Sequence, residues 1–385
     1  MAALDGIRIL DLTRLLPGPL ATVVLADLGA TVDKVEDAGA GDYTRITPPI
    51  QGDAGLMYHT LNRGKRGIVL DLKKPEGVAA LKRLVLHYDV IFEQFRPGVM
   101  ARLGVGHELL RELNPKLIVC ALTGYGQTGP LAQRAGHDLN YMARAGLLGA
   151  MGPRDQPPAT PSFQLADVSG GMWCVIAILA ALRERDSTGQ GKIIDIGMIE
   201  SVVPFAIPVM AKLLGGEDVA RGDEMLTGGL AIYRTYATKD AGAVAFGALE
   251  PKFFQAFFAA VGMQIDSSII APGAHQIALQ AKLEALFLSR TRDEWLALND
   301  EHDFCLEPVL RPDELLSDEH LNARHVFLDV ETPTGTIKQL GTPVTPRGLA
   351  PTPAPAQGEH TDVILTEAGF SAAEIAELRL ARAVR

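Results

Sequence analysis

The chain has 385 residues, 47% of them hydrophobic and 21% charged, with 39 Gly and 24 Pro. That composition can build large cores, and it excludes disordered, collagen-like and coiled-coil proteins. Its 36 basic and 46 acidic residues leave a net charge of -10, which argues against nucleic acid or an anionic membrane as the main partner. A small anionic molecule held by a local cluster of Lys and Arg stays open.

At the N-terminus, residues 1–6 carry no basic stretch followed by an apolar one, so no secretory leader is expected. Residues 7–12 predict a strand, followed by the turn Pro17-Gly18-Pro19, a helix over 21–28 stopped by Gly29, and a strand over 31–35. The pattern repeats, with strands at 67–72 and 90–92 and a helix over 76–87. A helix over 108–113 and a strand over 116–122 come next. Such alternation predicts a doubly wound, Rossmann-like parallel sheet, although no GxGxxG follows the first strand. Residues 172–185 read as a helix whose clean apolar run, 172–182, is too short to span a bilayer. A strand over 192–196 closes this part. Further on, strands over 233–238 and 243–248 and helices over 253–261 and 277–288 predict a smaller α+β domain. A C-terminal helix is expected over 372–383. The predicted organisation is a large α/β domain over 1–200, a small α+β domain over 201–330, and a segment 331–385 returning to the large domain.

Cys120, Cys174 and Cys305 are odd in number and far apart, so a reducing compartment without a disulfide framework is expected. Neither CxxC nor HExxH occurs, and His320 with His325 lack metal-ligand spacing, so no metal site is expected. Gly136-His137-Asp138-Leu139-Asn140-Tyr141 follows the Gly-rich stretch 123–130, which starts where a parallel strand ends. Ligands of open α/β sheets sit beyond such ends. His137 is then either a titrating group of a site or a loop histidine donating to a carbonyl. Asp167 stands before the long helix, followed by Gly170 and Gly171. It either caps that helix or does chemistry beside glycines that let a ligand approach. Glu250 precedes a helix and has the same capping alternative. Arg63, Lys65, Arg66, Lys73 and Lys74 form either a solvated face or a phosphate site, as do Arg96 and Arg102.

Taken together these pieces resemble the class III (CaiB/BaiF-type) CoA transferases. The likeness lies in Leu4 to Leu12 with Pro17-Gly18-Pro19, and in Asn62-Arg63-Gly64-Lys65-Arg66 with Leu70-Asp71-Leu72-Lys73. It continues in Phe95-Arg96-Pro97-Gly98-Val99, in Thr123 to Pro130, and in Gly358-Glu359-His360-Thr361. Gly136 to Tyr141, Leu165-Ala166-Asp167 and Gly247-Ala248-Leu249-Glu250-Pro251 are similar to the α-methylacyl-CoA racemase branch. That resemblance implies His137 and Asp167 as a catalytic acid/base pair with Glu250 assisting. It implies contacts to CoA from Leu70, Asp71, Leu72 and Lys73, from Gln94, Phe95, Arg96 and Arg102, and from Gly136, His137, Asp138, Leu139, Asn140 and Tyr141. Asp37 stands where racemases of the branch often carry an arginine near the CoA phosphates, and residues 41–45 look more like the transferases.

The implied reaction inverts the α-carbon of a 2-methylacyl-CoA thioester by proton removal on one face and return on the other. Backbone N–H groups near Asp167 are expected to hold the enolate oxygen. The alternative is CoA transfer through an anhydride at Asp167. CoA thioester enters as substrate, no prosthetic group is implied, and the resemblance implies an interlocked homodimer. The cytoplasm is the default location, since the chain ends in Ala383-Val384-Arg385 rather than a peroxisomal tripeptide.

Overall fold

The computed structural model describes residues 2–265 and 267–385. Its residues group into two compact units, Met1–Met142 with Phe163–Val202 and Glu319–Arg385, and Ala143–Ser162 with Val203–Asp318. Residues 143–162 thus leave the first unit ahead of the long helix, and residues 319–330 belong to the first unit rather than the second. Hydrophobic patterning does not reveal such excursions, because each piece needs a core to pack on and the pattern does not say which.

In the first unit, six strands form one sheet: Arg8–Asp11 (β1), Thr31–Glu36 (β2), Arg66–Val69 (β3), Val90–Glu93 (β4), Ile118–Thr123 (β5) and Ile193–Gly197 (β6). Their order is β3-β2-β1-β4-β5-β6, with every pairing parallel. All six positions of β5 are buried, which is why that strand reads as a continuous apolar run instead of an alternating one. This is the doubly wound sheet expected from the sequence. The strand order reverses between β1 and β4, and there a crevice opens at the carboxyl ends of the strands. Leu10, Ile68, Leu81, Ile91 and Val119 are fully buried in the core, and Ile364 from the C-terminal stretch packs with them.

Two local expectations change. Pro17-Gly18-Pro19 is not a turn but the first turn of a helix, Pro17–Asp27 (α1). Proline costs little there, because the first N–H groups of a helix have no acceptor within it. Asp138–Arg144 forms a short helix (α2). The long helix (α3) spans Leu165–Thr188, so Asp167 lies inside its first turn and not before it. By length and composition α3 could cross a bilayer, and half of its apolar stretch is buried within the fold. Gly170 and Gly171 are part of that packing. A Cβ on Gly171 would sit 2.5 Å from the Pro17 carbonyl oxygen of α1, and one on Gly170 would sit 2.8 Å from Met198. These glycines admit a neighbouring helix, not a ligand.

Of the basic cluster around β3, Arg63, Lys65 and Arg66 form neither a solvated face nor a phosphate site, whereas Lys73 is exposed and lines a cavity. Arg63 and Lys65 are 1% and 2% exposed. Arg63 Nη2 donates to Asp27 Oδ2 at 2.7 Å, and Lys65 Nζ reaches Asp11 Oδ2 at 3.2 Å and Thr22 Oγ1 at 2.7 Å. Arg66 forks onto Asp33 at 2.6 and 2.8 Å. Burial alone would raise the Asp11 pKa, but Lys65 and Lys34, with hydrogen bonds from Thr13 and Thr22, hold it below the usual carboxylate range. Burial pulls the Lys65 ammonium down to about 8 against the opposing charge of Asp11.

In the second unit, Tyr233–Ala237 (β7), Ala243–Gly247 (β8) and Leu306–Pro308 (β9) form an antiparallel sheet in the order β9-β8-β7. Helices Pro251–Ala260 (α4), His275–Phe287 (α5) and Arg292–His302 (α6) bring Phe257, Phe287 and Trp295 against Phe246 in an aromatic core. The Phe246 and Phe257 rings lie 4.5 Å apart, within the favourable range for aromatic pairs.

Candidate active site

Two adjoining cavities lie at the carboxyl ends of the strands of the large sheet. The larger, about 610 Å³, contains Gln94, Phe95 and Arg96 just beyond β4, and Thr123 and Gly124 from the end of β5. Gly136, His137, Asn140 and Tyr141 around the start of α2 also line it, and so does Asp167. The smaller, about 340 Å³, is lined by Leu70, Asp71, Leu72 and Lys73 beyond β3, with Glu36 at the end of β2 and Asp37 just after it. Arg14, Phe95 and Val99 line both cavities.

The structure therefore gathers most residues of the first unit singled out in the sequence as catalytic or CoA-contacting, and three of that unit line neither cavity. Arg102 and Leu139 are exposed and line neither cavity. Asp138 is buried and is committed to another task. Glu250 is exposed in the second unit, at the N-cap position of α4, and its side chain makes no capping bond.

Asp138 resolves the ambiguity at Asp167. The N-cap residue of α3, Gln164, makes no side-chain capping bond. Instead Asp138 Oδ1 accepts the N–H of Ala166 at 2.6 Å and that of Asp167 at 3.1 Å, satisfying the free donors that a helix start exposes. The cap is thus supplied from α2, and the Asp167 carboxylate is left without a capping role. The same bonds occupy the Ala166 and Asp167 N–H groups, so these two are not free to hold an enolate oxygen. Asp167 is half-buried. Burial, and secondarily the charge of Asp138, push its pKa up to about 7, the direction desolvation and a like charge both impose on a carboxylate.

His137 precedes α2, donates its backbone N–H to Asn140 Oδ1 at 3.0 Å and accepts the Asn140 N–H at 2.8 Å. Its imidazole is exposed and makes no hydrogen bond to a described residue, which removes the reading of a ring tied to a carbonyl. Tyr141 braces this turn by donating its hydroxyl to the Gly136 carbonyl at 2.5 Å. A Cβ on Gly124 would come within 2.5 Å of its ring, so glycine is needed where the rings close up. Burial, then Asp167, raise the Tyr141 hydroxyl to about 12, keeping it a donor at neutral pH.

Arg14 and Arg134 also line the larger cavity, and sequence reasoning did not name them. Arg14 had a signal: it lies in the turn between the first strand and the first helix, a position that faces ligands in this class of sheet. Among the described residues no group of three or more His, Cys, Asp and Glu is arranged to hold a metal.

A parallel sheet in this order, with titratable groups and arginines beyond its strand ends, defines an open α/β protein with a small-molecule crevice at its switch point. More narrowly, the chain belongs to CoA-transferase family III, whose model matches residues 4–361. It is 37% identical over 387 residues to the alpha-methylacyl-CoA racemase of Homo sapiens, covering 98% of this chain and 96% of that protein. It is 33% identical over 375 residues to the succinyl-CoA:glutarate CoA-transferase of Homo sapiens, covering 94% and 85%. A CAIB/BAIF family protein from Brucella suis has the same fold, with a TM-score of 0.83 at 30% identity over 95% of this chain and 99% of that one. The racemase and the transferase are both enzymes, and they run different reactions.

Proposed function

We propose that the chain is a racemase-type isomerase that inverts the α-carbon of 2-methylacyl-CoA thioesters, with His137 and Asp167 as the two proton-exchanging groups. The observation that carries the reading is the state of Asp167. Its carboxyl shares a cavity with His137, is spared helix capping by Asp138, and is raised to about 7 by burial and the Asp138 charge. A group poised at neutral pH serves as acid and as base, which inversion in both directions requires. The 37% identity to a racemase supports the same reading.

In one direction the ionised Asp167 or the neutral His137 removes the α-proton, which the thioester makes acidic by drawing the developing charge onto its oxygen. The other group then delivers a proton to the opposite face. For the reverse direction the two exchange roles. Glu250 enters the proposal as an assisting group from the family resemblance alone.

The rival reaction draws on the transferase relative. There an ionised Asp167 attacks the acyl carbonyl and CoA leaves as thiolate; the thiolate then attacks the Asp167 carbonyl of the anhydride, which releases the first acid and leaves CoA on Asp167. A second carboxylate attacks that aspartyl thioester, and the expelled thiolate attacks the acyl carbonyl of the new anhydride, giving the second acyl-CoA and free Asp167. A carboxyl held near 7 is a poorer fit to that role, because about half of it is protonated at neutral pH. Incubation with a 2-methylacyl-CoA and a second free acid, followed by mass analysis, separates the two. The proposal expects epimers of the starting thioester and no new CoA ester, and a new CoA ester overturns it.

A further inference from the structure

Among the described residues, Arg14 is the one charged residue that lines both cavities. It sits beyond β1, at the point where strand order reverses, and a ligand reaching from one cavity into the other passes it. Its guanidinium carbon lies 4.7 Å from the centre of the Tyr43 ring, a contact that orients a planar cation without neutralising it. No carboxylate pairs with it among the described residues. Of the four acids lining the smaller cavity, Glu36 is paired with Arg45 at 2.6 Å and Asp42 with Lys34 at 2.9 Å, while Asp37 accepts the Gly39 N–H at 2.7 Å and Asp71 the Lys73 N–H at 3.0 Å.

The backbone that carries Arg14 is fixed with unusual care. Thr13 donates its N–H and its hydroxyl to Asp11 Oδ1 at 2.9 and 2.5 Å, and Lys34 Nζ donates to the Thr13 carbonyl at 2.9 Å. Leu15, next along, is held at φ 67° with its N–H on Asp42 Oδ1 at 3.2 Å. A left-handed leucine costs about 1–2 kcal/mol, and it persists because buried charges on both sides determine the loop. The buried Asp11, Lys34 and Asp42 thus have a common product, the position of residue 14.

We propose that Arg14 is a phosphate-binding residue of this crevice, gripping the anionic CoA portion of the substrate where the two cavities meet. This rests on the reading of the ligand as a CoA thioester. Asp37, just after the neighbouring strand β2, is a carboxylate in the smaller cavity and offers phosphate no cation. Arg14 supplies the planar, two-pronged donor suited to phosphate, from the neighbouring loop.

Calorimetric titration tests this without turnover. CoA and a phosphate-free S-acyl pantetheine are each titrated into the unaltered chain, Arg14→Gln, and a control, Lys116→Gln, an exposed lysine that lines neither cavity. Arg14→Gln is expected to weaken CoA by about 10- to 100-fold, the span of one charge-assisted hydrogen-bonded contact. It should leave the pantetheine thioester within about two-fold and flatten the salt dependence of CoA binding. Lys116→Gln should change neither ligand. If CoA binds the Arg14 variant as tightly as the unaltered chain, or both ligands weaken equally, Arg14 is not a phosphate contact. If the unaltered chain does not bind CoA at all, the CoA-thioester reading falls and this assignment falls with it.

Discussion

Asp138 holds Asp167 through the backbone. One oxygen of the Asp138 carboxylate accepts the Asp167 N–H at 3.1 Å and the Ala166 N–H at 2.6 Å, while the residue before Asp138 is His137. A single buried side chain therefore ties the segment bearing one proposed base to the helical turn bearing the other. The same carboxylate contributes to keeping Asp167 protonated near neutrality.

Substitution at Asp138 separates the two effects. Asp138→Asn keeps an oxygen acceptor for the cap and removes the charge, so the Asp167 pKa should fall. It should stay above its ordinary value, because burial is the larger cause. Asp138→Ala removes the cap as well and should cost about 1 kcal/mol of stability in addition. Carbon-13 NMR of aspartate-labelled protein, with the Asp167 signal assigned from Asp167→Asn, reads the midpoint directly. An unchanged midpoint in Asp138→Asn would show that the charge of Asp138 does not reach Asp167.

The raised pKa also fixes a pH dependence of stability. Between the ordinary carboxylate value of 3.8 and about 7, the folded state keeps a proton on Asp167 that the unfolded state has released. Stability therefore falls as pH rises through that window. Asp167→Asn removes the penalty, and it should stabilise the protein by up to about 4 kcal/mol at pH 8, three pKa units converted at 1.36 kcal/mol each and an upper bound for a half-buried group. The gain should vanish below about pH 4. Urea unfolding at pH 4 and pH 8 measures it, and an equal effect at both values would contradict the shift.

Much of the sheet is legible in the sequence because its strands are short apolar runs punctuated by Gly and Pro. The expected strands near 31–35 and 90–92 lie within one residue of β2 and β4. Helix α6 was not foreseen, although its Thr291 and Glu294 form a reciprocal capping box, a signal present in the sequence. The fates of the charged residues were not legible at all. Arg63 finds Asp27 across 36 positions and Lys65 finds Asp11 across 54, so a buried ion-pair network looks like a surface charge run until the chain folds. The site was visible as residue types at strand ends. Its decisive detail, a cap supplied to α3 by a side chain 29 positions from Asp167, has no local signature.

The buried network makes its own prediction. Lys65→Met fills similar space but leaves Asp11, fully buried, without its nearest cation. Stranding one partner of a buried pair costs about 3–5 kcal/mol, and denaturant unfolding should show a loss of that size. The double variant Asp11→Asn with Lys65→Met should recover part of it, because the two changes share one interaction. Additive losses would mean that the pair is not coupled.

The most direct test of the two-base reading is isotope incorporation with single epimers of a 2-methylacyl-CoA in D2O. The unaltered protein should place deuterium at the α-carbon while both epimers accumulate. His137→Ala and Asp167→Ala should each abolish inversion, and each should retain washout of the α-proton from one epimer only, opposite for the two variants. Near-normal inversion by His137→Ala would contradict the account. So would an unaltered protein that incorporates no solvent deuterium and instead yields an acyl group at Asp167 that hydroxylamine traps.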